Sequence, residues 1–199
     1  VAVGRAPNTE DLGLDAAGVD VCEDGVVVDA LLRTSNPHIF AVGDVVAGTP
    51  RLTHMAGEMA KVAVENALFG GSWDASALVV PQCIYTEPEL ASVGATGYTE
   101  PASVGASAAG AADEYITLLA DNDRAVLDGE ADDGGFVRVL CRPGTDEIVG
   151  ATVCASRAGE LINELTLALK AQLGLRELGR CVHAYPTTGE AAMGCGLQW

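Results

Sequence analysis

Apolar and polar positions fall into two regimes along the chain. In the first, short apolar runs alternate with turn chemistry. Val1-Ala2-Val3 reads as the end of a buried strand, Val26-Val27-Val28 as strand-like, and Ile39-Phe40-Ala41-Val42 as a short strand cut off at Gly43-Asp44. Between them Gly4 allows close backbone approach, Pro7 fixes φ, Asn8 can bond its own backbone, and Ser35-Asn36-Pro37 turns the chain. Met55, Met59, Val62 and Leu68 then recur at roughly helical spacing. They predict a helix over 54–69, capped by Thr53 and stopped by Gly70-Gly71. This alternating α/β segment gives way to a different pattern near residues 72–77.

The second regime opens with strands, predicted at 79–85 and 115–119 and as a hairpin of 136–142 with 148–155 around Pro143-Gly144-Thr145-Asp146. Ser156 can cap a helix running to 173, with Leu161, Leu165 and Leu169 on one face and Gly174 past its end. Residues 97–112 carry little apolar bulk and echo the motif at 85–95, which predicts a loop or a weakly formed helix from a local duplication. The expected fold is therefore an α/β segment over 1–74, followed over 75–199 by an α+β domain in which helices pack on an antiparallel sheet.

Composition narrows the partners. The balance of 11 basic against 28 acidic side chains, a formal charge of −17, argues against nucleic acid or an anionic membrane surface as partner. Apolar runs stay far below the roughly 20 residues needed to span a bilayer. The six cysteines, at 22, 83, 141, 154, 181 and 195, include no C-x-x-C or C-x-x-x-x-C spacing, and no His/Cys cluster suits a metal. Cys83, Cys141 and Cys154 read as small core hydrophobes in strands, which suits a reducing compartment such as the cytoplasm or an organelle matrix. With no initiator Met and no signal pattern, the opening reads as a cut.

Gly43-Asp44 stands where an open α/β sheet meets a nucleotide: Gly43 permits close approach and Asp44 can accept from sugar hydroxyls. Gly-Asp is also an ordinary turn. The longer string decides more. Thr34-Ser35-Asn36-Pro37-His38-Ile39-Phe40-Ala41-Val42-Gly43-Asp44-Val45, with Leu52-Thr53-His54 after it, resembles the second flavin-binding motif of the pyridine nucleotide-disulfide oxidoreductases. The resemblance implies that Asp44 bonds the ribityl chain of FAD. It also implies that the helix start at Thr53 and His54 turns its free N–H groups toward the flavin's pyrimidine edge. Val1-Ala2-Val3-Gly4-Arg5-Ala6-Pro7-Asn8 resembles the stretch closing the family's NAD(P)-binding domain, which implies that Gly4 lies beside the nicotinamide.

Tyr85-Thr86-Glu87-Pro88-Glu89-Leu90-Ala91-Ser92-Val93-Gly94 resembles the opening of the family's dimerisation domain. Asp121-Asn122-Asp123-Arg124-Ala125, Gly135-Phe136-Val137-Arg138-Val139 and Ala158-Gly159-Glu160-Leu161-Ile162 follow in the family's order. At 183–190, His-Ala-Tyr-Pro-Thr-Thr-Gly-Glu departs from the family's His–Glu acid–base pair: Tyr185 stands in the His position while Glu190 is kept. His183 lies two residues earlier, on the same side of an extended chain. Thr187 and Glu190 also fit a capping box. The spacing from Tyr185 to Glu190 is similar to the mercuric reductase version of the segment, which implies a Tyr185 that donates a hydrogen bond or contacts a soft metal at the substrate. An adjacent C-terminal Cys pair is missing; Cys195 stands alone.

The resemblance thus implies the C-terminal portion of a homodimeric flavoprotein. Such an enzyme uses FAD and NAD(P)H to act on a small disulfide, thiol or mercuric-type substrate, with Tyr185 and Glu190 at the substrate side. The alternative is a catalytically silent dimerisation module.

Overall fold

The computed structural model describes residues 3–96 and 112–199. It divides into two compact units, Val1–Leu78 and Val79–Trp199.

The first unit holds a small hairpin, β1 (Val21–Cys22) with β2 (Gly25–Val26), and one long helix, α1 (Thr53–Leu68). One expected strand is weaker here. The 39–42 run makes an isolated bridge, Arg33 with Phe40, flanked by the Thr34 N–H to the Ile39 carbonyl at 3.0 Å and the Ala41 N–H to the Leu32 carbonyl at 3.2 Å. The strand end expected at Val1-Ala2-Val3 lies mostly outside the described residues, of which Val3 is 94% exposed. Met55, Met59 and Val62 of α1 are buried, whereas Leu68 is 73% exposed because it falls on the outer side of the last turn. Thr53 is the first helical residue, not the cap; Leu52 precedes it in extended conformation without a side-chain cap. Gly70 ends the helix as expected, its φ of +66° letting the Gly71 amide return to the Glu65 carbonyl at 3.2 Å.

In the second unit, among the described residues, β3 (Gln82–Ile84), β4 (Glu89–Gly94), β5 (Asp113–Leu118), β6 (Phe136–Cys141) and β7 (Ile148–Ala155) form an antiparallel sheet in the order β3-β4-β7-β6-β5. Helices α2 (Asp123–Asp128), α3 (Ala158–Lys170), α4 (Leu175–Arg180) and α5 (Glu190–Leu197) complete it. The predicted hairpin is β6–β7, closed by Arg142 N–H to Glu147 C=O at 2.9 Å. Ser156 does not cap α3. Its hydroxyl donates to Glu130 at 2.8 Å, and Arg157 takes the cap position. The proposed duplication at 97–112 lies almost wholly outside the described residues.

Strand alternation gives the sheet two unlike faces. On one, the rows Ala91–Val153–Val137–Thr117 and Val93–Ala151–Val139–Tyr115 run under α3 and α5, which supply buried Ile162, Leu165, Ala168, Ala191, Ala192 and Cys195. On the other, Ile84, Leu90, Cys154, Phe136 and Leu118 line up across all five strands. Of these, Ile84 is 60% and Leu118 53% exposed. Helices α4 and α5 meet through glycine: a Cβ on Gly196 would stand 2.2 Å from the Gly179 backbone nitrogen.

Candidate functional site

In the first unit, Gly43–Val45 forms a short 3-10 turn, with Gly43 at φ +77°. A Cβ there would press to 3.1 Å on Ala56 in the first turn of α1. Glycine therefore lets the Gly43-Asp44 turn lie against the helix start carrying Thr53 and His54, and four sequence-predicted residues come together. The first turn of α1 carries no acidic side chain of its own. An open cleft of about 490 Å³ is lined by Arg5, Pro7, Asn8, Asp44, Val45 and Arg51. Asp44 faces Arg5 across it at 3.9 Å, and Arg51 donates to the Arg5 carbonyl. Gly4, at φ +138°, precedes this lining with open space where a side chain would be. Arg5 and Arg51 were not anticipated as site residues; the Gly-Arg-Ala-Pro-Asn run carried the signal for Arg5, and nothing local marked Arg51.

In the second unit, Tyr185 is 72% exposed and its hydroxyl donates to Asp123 Oδ2 at 2.6 Å. That hydrogen bond and the Asp123 charge, with a smaller contribution from Glu190, hold the phenol above its ordinary range. Glu190 is engaged elsewhere, accepting the Thr187 N–H at 2.9 Å. This is one half of the predicted capping box; in place of the other, the Glu190 N–H goes to the Thr187 backbone carbonyl at 3.3 Å, and Thr187 Oγ1 donates to the Ala184 carbonyl at 2.7 Å. Tyr185 and Glu190 thus have separate partners and do not form a hydrogen-bonded pair.

His183 does not share the Tyr185 side. Its ring is captured by α3, with Nε2 2.9 Å from Glu164 and Nδ1 3.0 Å from the Cys181 carbonyl, and its side chain is 9% exposed. Different acids hold the two rings, which overrides the two-residue periodicity. The anchor that sequence reasoning missed is Asn122. Its side-chain Oδ1 accepts the Arg124 and Ala125 amides, capping α2, while its Nδ2 donates to the Thr187 carbonyl at 3.1 Å.

The buried thiols are poorly suited to attack. Burial pushes Cys141 up to about 12 and also raises Cys195, Cys83 and Cys154. Among the described residues no three His, Cys, Asp or Glu side chains converge as metal ligands, and no helix is long and apolar enough to cross a membrane.

Residues 1–60 match the pyridine nucleotide-disulphide oxidoreductase family, and residues 80–194 match the dimerisation domain of the same family. The chain belongs to this family. Its curated relatives include the dihydrolipoyl dehydrogenase of Bacillus subtilis, 35% identical over 97% of this chain and 39% of that protein. The Staphylococcus aureus dihydrolipoyl dehydrogenase is 39% identical over 97% of this chain and 40% of its own length. The chain therefore spans about two fifths of the oxidoreductases it matches. Among solved structures, LpdA from Mycobacterium tuberculosis superposes with a TM-score of 0.82 at 28% identity, over 98% of this chain and 41% of that one. The HOCl-induced flavoprotein disulfide reductase RclA from Escherichia coli shares the fold, with a TM-score of 0.81 at 24% identity, over 96% of this chain and 42% of its own. The family uses FAD and NAD(P)H. The cleft carries groups of the kind part of such a ligand needs: Asp44 offers an acceptor for hydroxyls and the guanidinium groups of Arg5 and Arg51 offer donors for an anion, while Gly43 is buried against Ala56 and does not line it.

Proposed function

We propose that this chain forms the substrate-side and dimer-forming part of an FAD- and NAD(P)H-dependent oxidoreductase acting on a small disulfide, thiol or mercuric-type metal-ion substrate. The observation that carries the reading is Asp44 in a cleft with Arg5 and Arg51, on a turn whose Gly43 packs against Ala56 in the first turn of α1. In this reading Asp44 holds the ribityl hydroxyls, the α1 start with Thr53 and His54 presents its dipole to the flavin ring, and Gly4 borders the nicotinamide. Bound FAD supplies the capacity to take a hydride from NAD(P)H and to pass electrons to sulfur.

On the substrate side, exposed Tyr185 is the group that meets the reacting molecule. Glu190 shapes the start of α5 through the Thr187 amide. A phenol held above its ordinary range is a poor base at neutral pH, so Tyr185 orients substrate and does not accept its proton. The open apolar face through Ile84, Leu90, Phe136 and Leu118 supports a homodimer, since a contiguous apolar patch of this kind marks an association surface. The free thiols suit a reducing compartment.

A second reading, a catalytically silent dimerisation module, is favoured by the use of Glu190 as a cap. The reading frame that encodes this chain tests the choice. The oxidoreductase reading expects an in-frame G-x-G-x-x-G and C-x-x-x-x-C ahead of Val1, and a yellow full-length product. A frame without them supports the silent module.

A further inference from the structure

The phenol of Tyr185 has one proton, and the structure gives it a destination. Its hydroxyl donates to Asp123 Oδ2 at 2.6 Å, while the ring itself stands 72% exposed. Asp123 is well placed to hold it. Asn122 ties the start of α2 to the Tyr185 segment through the Thr187 carbonyl at 3.1 Å, and the neighbouring Arg124 is turned to Asp128, with Nε 2.7 Å from Oδ2. The charges bearing on the phenol are Asp123 from α2 and Glu190 from α5, both acids.

We propose that Asp123 is the positioning residue of Tyr185: its carboxylate accepts the one hydrogen bond the phenol can donate, so the oxygen, still protonated, meets the substrate as an acceptor. Such an oxygen favours a thiol in its S–H form or a cation, and disfavours a thiolate. This replaces the donor role expected of Tyr185 from its motif. It rests on the reading that Tyr185 faces substrate, but the pairing with Asp123 can be measured without any substrate.

The first experiment titrates tyrosinate absorbance of this chain, which has 4 tyrosines; subtracting the curve of Tyr185→Phe isolates one phenol. That step is expected above the ordinary tyrosine value of about 10. Asp123→Asn should shift it down, whereas Asp121→Asn, the same charge change two residues away, should leave it in place. Asp123→Ser repeats the measurement in case the amide disturbs α2, and circular dichroism verifies the fold of each variant. An unmoved step in both Asp123 variants, or an equal shift with Asp121→Asn, overturns the pairing and leaves the reading of Tyr185 as substrate-facing untouched. The acceptor role is read separately in the full-length holoenzyme. With a thiol substrate, kcat/KM should fall as that thiol ionises, and Asp123→Asn should weaken this fall. Identical alkaline limbs in both enzymes overturn the acceptor role.

Discussion

Cys141 shows what a single buried side chain contributes to the pH response. Its thiol lies in β6 with no exposed surface, and burial pushes it up to about 12. The folded chain therefore holds the proton more tightly than the unfolded chain, whose thiol titrates near about 8.5. Its contribution to stability is complete below that value and is lost as pH rises toward the folded value. Urea unfolding midpoints should fall across this alkaline window, and Cys141→Ala should flatten the fall; parallel curves for the two proteins would mean that other groups dominate. Cys141 was legible as a core hydrophobe, because its apolar flanks and strand alternation are local. Asp123 was not legible as the partner of Tyr185, since 62 residues separate them and only the fold closes that distance. His183 is a hydrogen-bonded histidine, but its side was not legible: backbone periodicity predicts the side to which a ring points, while a carboxylate within reach, here Glu164, decides where it settles.

At the scale of elements, close glycine contacts set the packing of the last two helices. A Cβ on Gly196 would fall 2.2 Å from the Gly179 nitrogen and 2.6 Å from its Cα, backbone atoms that cannot swing aside. Gly196→Ala should destabilise the second unit by about 1–3 kcal/mol or more, read as a lower urea midpoint, as overpacking in a filled interior does. Leu165→Ala, at the centre of the α3 face, should cost about 2–5 kcal/mol in the same assay. The α3 stripe and the β6–β7 hairpin could be read from sequence, because each is encoded by a short period and a turn of Pro143 and Gly144. The helix caps could not. Ser156 and Thr53 are both good caps by type, yet Glu130 draws the Ser156 hydroxyl away and α1 starts one residue early. The order β3-β4-β7-β6-β5 was likewise hidden, since local alternation fixes which face is buried but not which strand lies next to which.

For the molecule as a whole, the exposed sheet row predicts association. Sedimentation should show the chain as a dimer, and Ile84→Asp with Leu118→Asp should shift it toward monomer while leaving its circular dichroism spectrum unchanged; an unchanged dimer would place the interface elsewhere. The isolated chain should bind FAD weakly, because Asp44 and the start of α1 can hold only the part of the flavin they reach. Stoichiometric yellow flavin surviving gel filtration would contradict this. The central claim, that Tyr185 serves the substrate side of a flavoprotein oxidoreductase, is tested most directly by separating the two half-reactions of the full-length dimer. Tyr185→Phe should slow reoxidation of the reduced enzyme by disulfide or mercuric substrate while leaving flavin reduction by NAD(P)H nearly unchanged. Glu190→Gln, whose amide oxygen still accepts the Thr187 N–H, should alter neither step. Equal loss in both half-reactions of Tyr185→Phe, or no loss in either, would contradict the account and leave Tyr185 a structural residue.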